Sequence, residues 1–255
     1  MKIPGVNAIK YQLRKLELAN RYLNNKYHIH AKQKFVEEIE KTPLRTDIIS
    51  FLLQQFTTPT VYLEIGVRNP NDNFNKISSQ KKYSVDPGYE NAANSVDFKV
   101  TSDEFFEMLK SGKALTSDIK FDVIFIDGSH LAEQVEKDIQ NSLDYLKEDG
   151  FIVMHDCNPP TEFHASENYD YILSPASTLW NGTTWKAFVK NRKRENLYSC
   201  CIDTDWGVGV ISRKVNFGPS NKIENNFFEY YTFDKHRKES LNLISFDTFK
   251  SFFTC

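Results

Sequence analysis

The apolar positions first fall on a helical beat. Ile9, Leu13, Leu16 and Leu18 recur near helical spacing among Lys, Arg and Glu, which predicts helix over 7–40 with a break at Asn24, Asn25 and Lys26. A second helix is expected from near Thr46 through "DIISFLLQQF" to Phe56. From residue 60 the beat changes. "TVYLEIGV" (60–67), "KYSVDPGY" (82–89), "SVDFKVTS" (95–102), "FDVIFID" (121–127) and "FIVMHD" (151–156) read as strands. Between them, "DEFFEMLKSG" (103–112) and "LAEQVEKDIQNSLDYL" (131–146) read as helices. In the second, Leu131, Val135, Ile139, Leu143 and Leu146 share one face. "GTTWKAFVKNR" (182–192) is a further helix, and "LYSCCIDTD" with "WGVGVISR" reads as a closing hairpin.

Strands separated by helices predict an α/β fold: a mostly parallel seven-stranded sheet with an antiparallel end strand and helices on both faces. The polar stretch 69–80 has room for one short helix, and the long loop 157–181 has the length of a functional lid. The division expected is a helical N-terminal extension over 1–45, a domain over 46–214, and an aromatic-rich, helical C-terminal extension over 215–255 packed on that domain.

Charge removes several function classes. The 32 basic and 34 acidic residues leave a formal net charge of −2, without the basic footprint of a nucleic-acid binder. The longest apolar runs have strand length, so no membrane span is expected, and the N-terminal stretch has no apolar signal region. Cys157, Cys200, Cys201 and Cys255 show no metal-type spacing and read as free thiols, which together point to a cytoplasmic protein.

Candidate chemistry gathers where the strands end. In a wound sheet, ligands bind outside the carboxyl ends of the strands. Those ends hold Glu64 with Gly66, Asp86, the Thr101–Asp103 segment, Asp127 with His130, and Asp156. Any one Asp is a good turn former or helix cap. A set of acids along one rim favours a polar ligand site.

The blocks "YLEIGV", "YSVDPGY" and "FDVIFIDGSHLAEQVEKDIQNSLDYLKEDGFIVMHDCNPP" resemble the class I S-adenosylmethionine-dependent methyltransferases. The likeness is to the bacterial branch with an IDG-H fourth strand and an HDC-PP fifth strand. "TSDEFF", "WNGTTWKAFVKNR" and "DTDWGVGVI" resemble it too, over roughly 46–213. The resemblance implies a Rossmann-like fold, S-adenosylmethionine as cofactor and a small-molecule acceptor methylated on oxygen, such as a sugar or another metabolite. It implies that Glu64 and Gly66 meet the methionine end, Asp86 the ribose hydroxyls, Ser102 and Asp103 the adenine, and Asp127 the sulfonium. The family loop carries several glycines, whereas "EIGVRNPNDNF" has only Gly66, with Arg68, Asn69 and Pro70 where small residues are usual.

Metal-dependent members place an Asp after the fourth strand, a pair of oxygen ligands after the fifth, and a general base three residues past the first Asp. Asp127 and Asp156 match two ligand positions for Mg²⁺ and His130 matches the base. The third ligand position holds Cys157, a poor partner for a hard ion. Asn158 or Glu162 are alternative oxygen donors. His155 is expected as a buried imidazole bonded to backbone, with a second-base role as the rival reading. Trp180 and Asn181 are candidates for an acceptor wall, Trp185 for core. Asp203, Thr204 and Asp205 are expected to form the hairpin turn, and "KNRKREN" (190–196) a solvated helix end. Two rival functions stand beside the methyltransferase. One is a degenerate fold that binds a ligand or partner without catalysis. The other, a nicotinamide-dependent oxidoreductase, is disfavoured by the absence of G-x-G-x-x-G after the first strand.

Overall fold

A computed structural model describes residues 6–169 and 173–253. Seven strands form one sheet in the order β2-β1-β3-β4-β6-β5-β7. They are β1 (Val61–Ile65), β2 (Lys81–Val85), β3 (Phe121–Ile126), β4 (Leu146–Met154), β5 (Tyr198–Ile202), β6 (Val208–Ser212) and β7 (Leu243–Ile244). Strands β2, β1, β3 and β4 pair in parallel, as do β5 and β7. Strand β6 runs antiparallel to both β4 and β5, so the reversed strand lies inside the sheet rather than at its edge.

Alternation along the strands separates two cores, because successive side chains point to opposite faces. Leu63, Ile65, Ile124, Ile126, Ile152 and Met154 face one side. There they meet α4 (Ser102–Lys110), α5 (Ala132–Tyr145) and α6 (Thr184–Asn191) through Phe105, Ile139 and Phe188. Tyr62, Val123, Phe125, Phe151 and Val153 face the other side. They pack on α3 (Arg45–Leu53) and on Phe217 and Phe249 from the C-terminal segment. Burial on both faces explains why β3 reads as an unbroken apolar run.

Preceding the sheet, α1 (Val6–Leu23) and α2 (Lys26–Ile39) break at Asn25, whose side chain caps α2 by accepting from the Tyr27 and His28 amides. Ile9, Leu13 and Leu16 on α1 are exposed. Three short helices close the chain: α7 (Tyr230–Lys235), α8 (Arg237–Leu241) and α9 (Phe246–Ser251).

Several expectations are corrected. The stretch 95–102 is not a strand; only Phe98 bridges to Val85, because Asp97 bonds the Ser84 amide and hydroxyl with its side chain. Thr101 instead caps α4, bonded reciprocally with Glu104. The seventh strand comes from the C-terminal segment expected to be helical, where β7 docks on Cys201 and Ile202. Leu131 leaves the apolar face of α5 and lies half-exposed at its cap. Within the basic run, Arg192 is buried, not solvated, and donates to the Ser240, Ser199 and Pro219 carbonyls. Cys157, Cys200 and Cys201 are free and buried, while Cys255 lies outside the described residues. No helix among the described residues is long and apolar enough to cross a membrane.

Candidate functional site

The carboxyl ends of β1, β2, β3 and β4 open on one rim, and the ladder continues one residue past them. Gly66 N donates to Val85 O at 2.8 Å, Asp127 N to Ile65 O at 2.9 Å, and His155 N to Ile126 O at 3.2 Å. Gly66 has φ +92°, and a Cβ there would collide with the Asp127 carbonyl and Gly128 Cα. The chain after β1 therefore lies flush on the chain after β3, which only glycine allows.

One half of the rim is built on β1 and β2. Glu64 is buried on the same face of β1 as Tyr62. Its Oε2 accepts from Tyr62 Oη at 2.6 Å and from Asn73 Nδ2 at 2.9 Å, and Thr46 in turn bonds Asn73. Burial raises the Glu64 carboxyl to about 7, against the pull of those two hydrogen bonds. Asp86 turns the chain after β2: its Oδ1 accepts from Gly88 N at 2.6 Å and from Asn94 Nδ2 at 2.8 Å. No donor among the described residues reaches its Oδ2. Asn94 also ties this loop to the Val67 carbonyl. Arg68 is 64 % exposed and pairs outward with Glu90 and Asp72, so its bulk leaves the rim open. Ser102 and Asp103 sit in the first turn of α4, linked by Gln134 Nε2 at 3.2 and 3.0 Å.

The other half is a dense charge network on the ends of β3 and β4. Asp156 has φ +60°, a left-handed backbone that an aspartate adopts at some cost. The His155 ring is buried between carboxylates. Its Nδ1 lies 3.0 Å from Asp156 Oδ2 and 3.3 Å from Asp127 Oδ1, and its Nε2 lies 3.2 Å from Asp205 Oδ1. The backbone-bonded imidazole expected for His155 is thus replaced by a three-carboxylate cage, because the β5–β6 turn brings Asp205 into the rim. That turn is strained, with φ of 45°, 63° and 87° at Asp205, Trp206 and Gly207. It is held by Cys157 N and Asn158 N donating to the Gly207 and Trp206 carbonyls.

His130 stands beside this cage. Its ring stacks on Trp180 at 5.2 Å and its Nδ1 meets the Trp180 carbonyl at 3.1 Å. Its Nε2 is 3.7 Å from Asp127 Oδ1, and its Nδ1 is 3.5 Å from Asp156 Oδ2. The end of the long loop fixes its backbone: Thr183 N donates to His130 O at 2.7 Å, and Gly182 has no room for a Cβ against His130. Asn181, also buried, donates to Asp156 Oδ1 at 2.6 Å. Trp185 instead fills the core against Phe233.

Burial works against the charges of His130, His155, Asp127 and Asp205, and the neighbours prevail. Asp156 and Asp127 hold the His130 imidazole up at about 9, and raise His155 well above its usual value despite the opposing Arg45 charge. The His155 charge, the His130 imidazole and Arg45 beside it hold Asp127 well below the ordinary carboxylate range; His155 and Arg45 do the same for Asp205. Burial, joined by the Asp156 and Asp127 charges, pushes the Cys157 thiol up. That thiol is turned into the core beside Gly209.

Two participants escaped the sequence reading. Arg45, at the start of α3, donates its amide to Asp205 Oδ2 at 2.8 Å. Its guanidinium lies 3.2 Å from Asp205, 3.1 Å from His155 Nε2 and 3.8 Å from Asp127 Oδ2. Asp205 read as a turn residue, and Arg45 belonged to no block that carried the resemblance. The available signal was the run of Asp-Trp-Gly in so short a hairpin turn.

Residues 46–157 match a family model described as a methyltransferase domain. That match spans less than half of the chain. No curated protein matches it significantly. Among solved structures, the chain is similar to an O-methyltransferase from Bacillus cereus in complex with S-adenosylhomocysteine, with 12% identity over 76% of this chain and 95% of that one and a TM-score of 0.41. It is also similar to the S-adenosylhomocysteine-bound methyltransferase PaMTH1 of Podospora anserina, with 14% identity over 84% and 99% of the two chains and a TM-score of 0.45. A third is the O-methyltransferase TomG of Streptomyces achromogenes, involved in tomaymycin synthesis, with 10% identity over 77% and 94% and a TM-score of 0.39.

Two cavities open at the opposite ends of the strands, away from this chemistry. One, of about 440 Å³, lies beside Arg194 and Tyr198; the other, of about 660 Å³, lies beside Lys120 and Lys147.

Proposed function

We propose that the protein transfers the methyl group of S-adenosylmethionine to a hydroxyl oxygen of a small molecule, a sugar or a related metabolite. The observation that carries this is the join of the two half-sites at Gly66 and Gly128, which sets Asp127 and His130 directly beside the rim that holds Glu64 and Asp86.

On this reading Asp86 Oδ2 accepts the ribose hydroxyls while its Oδ1 stays tied to Gly88 and Asn94. Glu64 takes the methionine ammonium, whose charge favours the ionised carboxylate. Ser102 and Asp103 border the adenine. The acceptor hydroxyl approaches the sulfonium at Asp127 and His130. Its oxygen forms the new bond to the methyl carbon as the carbon–sulfur bond breaks. The pair of electrons stays on sulfur and leaves neutral S-adenosylhomocysteine. The hydroxyl proton goes to His130 Nε2. Nδ1 is held by the Trp180 carbonyl, which fixes the tautomer with Nε2 free. Asp127 stabilises the imidazolium that results.

The rival reading, a methyltransferase fold that binds without catalysis, draws on the single glycine after β1. The outward turn of Arg68 supports the enzyme instead, since the bulky loop leaves the rim open. The test is a labelled-methyl transfer assay across hydroxyl-bearing small molecules, beside calorimetry with S-adenosylhomocysteine. Turnover that depends on His130 is expected. Binding without turnover on any hydroxyl would favour the rival.

A further inference from the structure

We propose that Arg45 and His155 fill the place a divalent cation would take between the strand-end carboxylates, so that this site works without a metal and excludes one while Arg45 is present.

Asp127, His130 and Asp156 bring one ligand atom each within 4.8 Å of one another, a grouping that could hold an ion. The donor set nevertheless does not fit Mg²⁺. A hard ion of that kind takes oxygen ligands in a near-octahedral shell, and only two of these three groups offer oxygen. Among the described residues, no neighbour completes the set. The Cys157 thiol faces the core beside Gly209. Asn158 Oδ1 accepts from Arg237 at 2.5 Å. Asn181 presents its amide nitrogen, not its oxygen, to Asp156. Glu162 is exposed on the surface.

The carboxylate oxygens are also already engaged by nitrogen. Asp127 Oδ1 faces His155 Nδ1 at 3.3 Å and His130 Nε2 at 3.7 Å, and its Oδ2 faces Arg45 Nε at 3.8 Å. Asp156 Oδ2 faces His155 Nδ1 at 3.0 Å and His130 Nδ1 at 3.5 Å, and its Oδ1 accepts from Asn181. A cation entering between the two aspartates would displace the His155 ring and come to rest beside a guanidinium.

The placement of Arg45 is built, not incidental. Asp205 caps its helix through the backbone amide and grips the guanidinium with the same carboxylate. Thr204 bonds the Pro43 carbonyl just upstream at 2.7 Å. The left-handed run at Asp205, Trp206 and Gly207 is backbone strain spent on holding that carboxylate in the rim. A guanidinium keeps its charge at every working pH. Arg45 is therefore a permanent positive charge beside Asp127, and it acts as a positioning residue for the acceptor half of the site.

The inference rests on the methyltransferase reading only for its activity arm; the ion-binding arm needs no turnover. Mn²⁺ is titrated and followed by electron paramagnetic resonance in the wild type, Arg45→Met and Arg45→Met/Asp127→Asn, with folding of each checked by thermal melting. The wild type should bind no Mn²⁺ up to about 1 mM. Arg45→Met should bind at least about tenfold more tightly, and the double variant should lose that binding. Methyl transfer by the wild type should be unchanged by EDTA. Mn²⁺ binding by the wild type that Asp127→Asn abolishes would overturn the proposal, as would no gain in Arg45→Met. If Arg45→Met does not fold, Arg45→Gln takes its place. A wild type that resists EDTA but binds Mn²⁺ at Asp127 contradicts this inference and leaves the methyltransferase reading intact.

Discussion

The two halves of the rim hold their acids in opposite ways. On the β1–β2 side, Glu64 and Asp86 are held by neutral partners: a phenol, amide side chains and a backbone amide. One carboxylate there sits near neutrality in its titration, and the other has an oxygen to spare. On the β3–β4 side, Asp127, Asp156 and Asp205 are locked among Arg45, His130 and His155, and their charges balance within the cluster. The first half is poised to receive charge from a ligand. The second already contains its counter-charges and, on the proposed function, steers a proton and an oxygen. Hydrogen-bonded neutral groups give a site that binds; desolvated, paired charges give one that is preorganised for a reaction.

The sharpest way to break this contrast is Asp127→Asn. Both imidazoles and Arg45 lean on that charge, so methyl transfer should fall by about two to four orders of magnitude. Affinity for S-adenosylhomocysteine, measured by calorimetry, should change by less than about tenfold. Equal losses in both would merge the two halves into one.

A second test uses pH. With His130 raised to about 9, its base form is scarce at neutral pH, and kcat/KM should climb about tenfold per unit below pH 9 and level off above it. His130→Asn should remove the slope. The sign for stability is opposite. Because His130 gains partners on folding, its contribution is complete below its ordinary value of 6.5 and is lost as pH rises through about 9.

On the binding side, Asp86→Ala should weaken S-adenosylhomocysteine by about ten- to a hundredfold through two lost hydrogen bonds to a charged acceptor, while kcat at saturating cofactor stays within a few-fold. The smallest effect is the most specific to Glu64. At pH 7 this carboxyl is near half-protonated, and an ammonium beside it favours ionisation. Cofactor binding should then release up to about half a proton, seen as a dependence of the binding heat on buffer ionisation enthalpy. Glu64→Gln should abolish that dependence.

The sheet was legible because apolar runs of strand length alternate with amphipathic helices, and burial on both faces leaves that pattern clear in β3 and β4. The weak strand at 95–102 was not, since Asp97 replaces backbone pairing with side-chain bonds that no periodicity records. In the site, Asp127, His130 and Asp156 were visible because each ends or follows a strand. Arg45 and Asp205 were not. They lie 160 positions apart and meet only because a strained hairpin turn folds back onto the start of α3, a contact that depends on three consecutive positive φ angles. His155 was misjudged for the same reason, since its cage is completed by that distant turn.

The most direct measurement of the central claim is calorimetric titration with S-adenosylhomocysteine of the wild type and Asp86→Ala in parallel. The account predicts saturable one-to-one binding to the wild type that weakens by at least about tenfold in the variant. No binding at about millimolar ligand, or equal affinity for the two proteins, would contradict it.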